Sequence, residues 1–180
     1  MVVVFDAFGT LIKRADRRIN PWRRLVGGDR REFLTRDVSI EVFCQELGLE
    51  HLAPIVRREL DAEISALELF DDVLPTLKLL RGRGFRVGLC SNLAAPYGLA
   101  VQDLLPDLEA HIFSYQVGAA KPEPAIYEAV CKAMRCRPRD VLFIGDSQRA
   151  DSEGPTAFGM RAKHLDRGTG QCLTDLLTAR

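Results

Sequence analysis

The stretch Val2-Val3-Val4-Phe5-Asp6-Ala7-Phe8-Gly9-Thr10-Leu11 constrains this chain more than any other. Four consecutive apolar residues, three of them β-branched, fit a short strand buried on both faces, as in a parallel sheet. Asp6 comes where that strand must end and the chain must turn. In open α/β sheets ligands bind beyond the carboxyl ends of the strands, so a carboxylate there faces the expected site. Taken alone, Asp6 reads equally well as a turn cap.

Three later stretches shift that balance. Residues 87–92 read V-G-L-C-S-N, an apolar run ending in Ser91-Asn92. Residues 120–122 read A-K-P, with Lys121 just before a proline and a helical pattern. Residues 141–151 read V-L-F-I-G-D-S-Q-R-A-D, a third buried run ending in Gly145-Asp146, with Asp151 five residues on. Each alone has an ordinary reading: a turn, a solvated lysine, a cap, a surface acid. Together they place a carboxylate, a hydroxyl, a lysine and paired acids in order, three of them directly after strand-like runs.

Between the first of these stretches and residue 70 the period is helical. Ile40, Phe43, Cys44 and Leu47 recur at helical spacing after Ser39, a candidate cap, and before Gly48. Pro54 fits the first position of a helix carrying Val56, Leu60, Ile64 and Leu67 on one face. Residues 13–70 therefore read as a small helical insertion. From residue 71 strands and helices alternate. Asp72 is placed to cap a helix with Leu74, Leu77 and Leu80. A strand over 86–90, a helix around 97–105, a strand near 112–116, a helix over 123–134, a strand over 141–144 and a last strand near 161–165 complete the series. Pro155 inside a helix would cost about 3 kcal/mol, so the helix ending near Gly159 is expected to start there, with 151–154 in the preceding turn. Alternation of this kind means crossover connections and a parallel sheet.

Bulk properties narrow the function. The 180 residues carry 25 basic and 25 acidic side chains, so no global charge drives the chain to nucleic acid or a membrane. No apolar run approaches the roughly 20 residues that span a bilayer. Met1 leads straight into the first strand, which implies no signal peptide and a cytoplasmic location. Five cysteines (Cys44, Cys90, Cys131, Cys136, Cys172) without C-x-x-C spacing read as reduced thiols. His51, His111 and His164 are scattered and form neither a zinc motif nor a triad.

The ordered motifs resemble the haloacid dehalogenase-like hydrolase superfamily, whose members are mostly phosphatases, and the resemblance runs from residue 2 to about residue 166. It implies an α/β fold: a Rossmann-like parallel sheet core with helices on both faces, residues 1–12 and 71–180, and a small all-helical cap inserted after the first strand, residues 13–70. It implies that Asp6 is the nucleophile, that Thr10 fixes the turn behind it, and that Ser91 and Asn92 hold the anionic group of a small-molecule substrate. It implies further that Lys121 neutralises charge, and that Mg²⁺ is held by Asp6, the backbone carbonyl of Phe8, Asp146 and Asp151. Magnesium takes oxygen ligands and keeps several waters, so carboxylates and a carbonyl suit it.

Phe8 departs from the phosphatase pattern, which has a second Asp there as general acid for the leaving group. General acid catalysis is worth about 10²–10⁴-fold. The D-A-aromatic-G-T-L form instead resembles the 2-haloacid dehalogenases, whose halide leaves without a proton. The fourth stretch points the other way, because Asp146 beside Asp6 is of phosphatase type and would repel both Asp6 and a haloacid carboxylate unless a cation lay between. The leading expectation is a Mg²⁺-dependent phosphohydrolase, slow on alkyl phosphates and better on acyl or aryl phosphates. The alternatives are a metal-independent 2-haloacid dehalogenase and a catalytically silent binding protein. The basic run Lys13, Arg14, Arg17, Arg18, Arg23, Arg24, Arg30, Arg31 and Arg36 reads mainly as a solvated face, with one or two arginines available to an anionic substrate. Trp22 and Phe33 are too few aromatics for nucleic-acid binding.

Overall fold

The structure, a computed structural model, describes residues 1–13 and 21–178. Five strands, β1 (Val2–Phe5), β2 (Arg86–Ser91), β3 (Ala110–Phe113), β4 (Val141–Gly145) and β5 (Arg161–His164), form a parallel sheet in the order β3-β2-β1-β4-β5. The first strand is thus the central one, and all four of its residues are buried. Its side chains alternate between two apolar clusters: Val3 and Phe5 enter one, Val2 and Val4 the other. Phe5 lies in register with Leu89 on β2 and Ile144 on β4, so Asp6, Ser91 and Asp146 all leave the same edge of the sheet.

Between β1 and the second strand come a 3₁₀ turn (Pro21–Arg24) and helices α1 (Arg30–Thr35), α2 (Ile40–Glu46) and α3 (Ala53–Ser65). Asp29 caps α1 by accepting the Arg31 amide at 2.8 Å. Val56 and Leu60 of α3 are fully buried, and Phe33 and Phe43 meet edge to face at 4.8 Å. These residues belong to the same apolar cluster as Phe5 and Leu11, so one core runs from the sheet into the helical segment. That segment has no strand among its described residues; Ile12 and Leu69 only touch in an isolated bridge at its base.

Among the described residues of the basic run, four are engaged by carboxylates. Arg24 pairs with Glu59, Arg31 with Glu123 and Arg36 with Glu46, each through two hydrogen bonds, while Lys13 reaches Glu68 and Asp71. Such surface pairs are screened by water and contribute little to stability. Arg14, Arg17 and Arg18 lie outside the described residues.

The remaining helices are α4 (Val73–Gly82), α5 (Gly98–Leu104), α6 (Ser114–Val117), α7 (Pro124–Ala133), α8 (Gly154–Ala157) and α9 (Leu173–Thr178). Four details differ from the sequence reading. The third strand ends at Phe113 and 114–117 turn into α6, because the buried Ser114 hydroxyl accepts the Leu93 amide at 2.9 Å and donates to the Leu34 carbonyl. Leu74 is 61% exposed; α4 buries Val73, Thr76, Leu77 and Leu80 instead. Asp72 stands at the start of α4 but makes no cap, since Arg167 and the Leu173 amide take its Oδ2 at 2.8 and 2.7 Å. Residues Gln148–Glu153 form a π-helical turn that runs into α8 rather than a loose connection, with Pro155 in the first turn of α8, where no backbone donor is needed.

Candidate active site

The loop after β1 is wound tightly around one carbonyl. The Ala7 oxygen accepts the amides of Thr10, Leu11 and Ile12 at 3.2, 2.8 and 2.9 Å. Gly9 has φ +85°, a conformation that costs a side-chain-bearing residue dearly, which is why the turn needs glycine there. The Asp6 amide continues the sheet ladder by donating to the Ile144 carbonyl at 2.9 Å. Thr10 is fully buried; its Oγ1 donates to Asp6 Oδ2 at 3.4 Å, and the Arg167 guanidinium braces its carbonyl at 2.6 Å. The backbone that carries Asp6 is therefore fixed from both sides.

Lys121 stands at the centre of the site. Its ammonium has three donors, and each finds a partner: Asp6 Oδ1 at 2.7 Å, Asp151 Oδ1 at 2.6 Å and the Cys90 carbonyl at 2.9 Å. The side chain is almost wholly buried, with Nζ 5.2 Å from the centre of the Phe143 ring. Burial alone would lower its pKa, but the two carboxylates outweigh that and hold it above the usual lysine range. Asp151 is pushed up to about 6, chiefly by burial and further by the Asp6 charge, while Lys121 pulls against both. The Asp151 Oδ2 accepts the Ser147 amide at 2.9 Å.

Asn92 explains how the lysine is aimed. Its Oδ1 accepts the Lys121 amide at 2.7 Å and its Nδ2 donates to the Lys121 carbonyl at 2.9 Å, so the side chain clasps that residue's backbone from both ends. One N–H of the amide is left over for a substrate. Ser91 is buried, with Oγ 3.4 Å from Asp6 Oδ1.

The end of β4 is shaped by a missing side chain. A Cβ on Gly145 would fall 2.4 Å from the Asp151 carboxyl carbon, so only glycine lets that carboxylate fold back against the strand. Asp6, Asp146 and Asp151 each offer an oxygen, and these lie within 4.8 Å of one another. Asp6 and Asp151 are buried and Asp146 half-buried. Three carboxylates crowd around the Lys121 ammonium, an acidic pocket in which a bound cation would be favoured. Hard oxygen donors at this spacing suit a divalent ion such as Mg²⁺.

Asp6, Thr10, Ser91, Asn92, Lys121, Asp146 and Asp151 thus come together at the edge of the sheet where the sequence expects them. Phe8 is half-buried and points its ring at Tyr97, edge to face at 5.8 Å. Four contributors escape sequence reading. The Cys90 carbonyl has no side-chain signature at all. Ser147, whose hydroxyl accepts the Ala150 amide at 3.2 Å, was open to discovery inside G-D-S. The Tyr127 hydroxyl donates to the Ala150 carbonyl at 2.7 Å and steadies the turn bearing Asp151. Tyr97, in the loop after β2, accepts from Trp22 at 3.0 Å and donates to Glu63 at 2.8 Å, joining the helical segment to the core beside Phe8.

This fold has known counterparts. The profile of haloacid dehalogenase-like hydrolases matches residues 1–159. The chain belongs to that family. A glyceraldehyde 3-phosphate phosphatase of Methanopyrus kandleri is 31% identical over 119 residues, 62% of this chain and 49% of that protein. Phosphoglycolate phosphatase 1 of Pseudomonas aeruginosa is 28% identical over 193 aligned positions, covering 93% and 70%. An (S)-2-haloacid dehalogenase from a Pseudomonas species is 28% identical over 153 residues, covering 81% and 65%. The chain spans about half the length of the first curated relatives it matches. Among solved structures, a HAD family enzyme of Bacteroides thetaiotaomicron superposes with TM-score 0.80 at 19% identity, over 99% of this chain and 98% of that one. Its complex with magnesium and inorganic phosphate gives 0.77 at 20% identity. Among the described residues no helix is long and apolar enough to cross a membrane.

Proposed function

We propose that this chain is a Mg²⁺-dependent phosphohydrolase that works through an aspartyl-phosphate on Asp6. The observation that carries the reading is the meeting of Asp6, Asp146 and Asp151 within 4.8 Å, with the Lys121 ammonium 2.7 Å from Asp6. Asp6, Asp146, Asp151 and the Phe8 carbonyl would hold Mg²⁺, which supplies charge neutralisation for the phosphoryl oxygens. Phosphatase relatives, and a structural neighbour captured with magnesium and phosphate, support the same choice of substrate and ion.

The Asp6 carboxylate attacks phosphorus as the bond to the leaving oxygen breaks, and water then attacks the acyl phosphate to release inorganic phosphate and free Asp6. Lys121 holds Asp6 Oδ1 and keeps that carboxylate aimed. The Ser91 hydroxyl and the remaining Asn92 N–H bind non-bridging phosphoryl oxygens. Phe8 puts an aromatic ring where an acid is expected, so the leaving oxygen must depart without help from a side-chain proton. Aryl and acyl phosphates, whose leaving groups are stable anions, are then turned over faster than alkyl phosphates. Residues 13–70 act as a cap over the site, in which Trp22 and Glu63 meet Tyr97 of the core.

Phe8 also favours a second reading, a metal-independent 2-haloacid dehalogenase, in keeping with the (S)-2-haloacid dehalogenase relative. The acidic group counts against it, since a haloacid carboxylate would approach Asp6, Asp146 and Asp151 against their charge. Turnover of p-nitrophenyl phosphate and of 2-chloropropionate, each with Mg²⁺ and with EDTA, separates the readings. Phosphate release that needs Mg²⁺ is expected. Chloride release that persists in EDTA would establish the dehalogenase, and no turnover of either would establish a silent binding protein.

A further inference from the structure

Far from the acidic site, helix α7 ends in a pattern that brings two cysteines together. The Arg135 amide donates to the Lys132 carbonyl at 3.2 Å and the Cys136 amide to the Cys131 carbonyl at 3.1 Å, with Arg135 at φ +43° between them. A left-handed residue flanked by these two nested bonds is a Schellman ending, in which the first and last residues bring their side chains into contact. Here those residues are Cys131 and Cys136. The two thiols lie close enough to influence one another, and both side chains are half-buried against the cluster that holds Tyr127 and Met134. The 3.1 Å bond between carbonyl and amide keeps the two Cα atoms within ~7 Å, and disulfides bridge about 4.4–6.8 Å. The backbone has already closed the loop that a crosslink would need.

The two sulfurs are not equivalent. Burial raises both thiols, Cys131 to about 11; for Cys136 the nearby Arg86 guanidinium pulls back, while Asp140 adds to the rise. Cys136 is therefore the thiol that ionises first and attacks. Seven residues of helix at 1.5 Å each put Cys131 ~10 Å along α7 from Pro124, which itself follows the site lysine by three residues, so the pair lies outside the catalytic machinery.

We propose that Cys131 and Cys136 form an oxidisable dithiol, converted by a disulfide oxidant into an intramolecular disulfide that staples the end of α7. With oxidised glutathione, the Cys136 thiolate attacks one glutathione sulfur, and the other glutathione leaves as thiolate. Cys131 then loses its proton to solvent and attacks the Cys136 sulfur, expelling the second glutathione. The protein loses two hydrogens and one oxidised glutathione becomes two reduced ones.

The test uses the whole folded protein, incubated with oxidised glutathione, quenched in acid, then denatured and alkylated. The expected product has lost two hydrogens, carries no glutathione, yields a Cys131–Cys136 crosslinked peptide, and leaves three of the five cysteines to alkylate. In Cys131→Ser the reaction stops at a glutathione adduct on Cys136. The proposal is overturned if wild-type protein keeps glutathione on Cys136, or if both cysteines remain alkylatable. The wild-type result stands whether or not the variant folds.

Discussion

Replacing Lys121 by Met removes the one cation that stands between two buried carboxylates. At an effective dielectric of about 20, a unit charge at 2.7 Å from Asp6 and 2.6 Å from Asp151 gains about 6 kcal/mol from each. Desolvation of three buried groups offsets most of this, so the net worth of the cluster is small. Losing one partner is different, because the others stay buried without compensation, at a cost of about 3–5 kcal/mol. With an unfolding entropy of about 2.1 cal/mol/K per residue, or about 0.38 kcal/mol/K for 180 residues, the midpoint falls by about 8–13 °C. Methionine fits the lysine stem, so little of the loss comes from packing. Without the ammonium the Asp151 carboxyl, already raised by burial, rises further above its unfolded value. A carboxyl raised in the folded state costs stability above its folded pKa and costs progressively less as pH falls through it. Calorimetric midpoints in EDTA should therefore show a wide gap between variant and wild type at pH 7.5 and a narrower one at pH 5. Saturating Mg²⁺ should raise the variant's midpoint by more than the wild type's. A gap under about 1 kcal/mol in EDTA, or one indifferent to both pH and Mg²⁺, would refute the view that Lys121 neutralises this pair.

Phe8→Asp restores a proton donor and should raise alkyl-phosphate turnover by about 10²-fold with little gain on p-nitrophenyl phosphate, read by phosphate release; equal changes on both would refute the leaving-group argument. Gly145→Ala forces a Cβ into the Asp151 carboxyl, and should cost about 1–3 kcal/mol in urea unfolding and lower Mg²⁺ affinity; unaltered stability and affinity would contradict the close approach. Asp72 is pushed up by burial but held below the usual carboxyl range by Arg167 and the Leu173 amide. Its stabilisation is present above the unfolded pKa of about 3.9 and lost as pH falls through the folded value. Asp72→Asn should thus be less stable by about 1–3 kcal/mol at pH 7, with the difference closing as pH falls through the lowered folded value. A gap that keeps its size as pH falls would count against that linkage.

The features legible in the sequence are those that depend on neighbours along the chain. The run Val2–Phe5 announces a doubly buried strand, and the carboxylate after it falls at the sheet's edge because strands end where the apolar run ends. Lys121, Ser91, Asp146 and Asp151 are legible for the same reason, each sitting at a fixed offset from an apolar run or a proline. The hidden features are contacts between distant segments. Asp72 fits the pattern of a helix cap, yet its carboxylate is claimed by Arg167 and Leu173, about a hundred residues on. Ser114 continues a strand-like pattern, but hydrogen bonds to Leu93 and Leu34 bend the chain into a helix. Asn92, expected to hold the anionic group of a substrate, also clasps the Lys121 backbone, a pairing no local pattern encodes. The basic run gives no hint that Arg24, Arg31 and Arg36 find their partners at Glu59, Glu123 and Glu46.

The proposed phosphoryl transfer to Asp6 requires that the carboxylates following β1 and β4 share one divalent ion. Calorimetric titration of Mg²⁺ into wild-type protein and into Asp146→Asn decides whether they do. One site per wild-type chain, weakened at least tenfold (about 1.4 kcal/mol) in the variant, is predicted. Equal affinity in the two proteins, or no Mg²⁺ binding by the folded wild type, would contradict it.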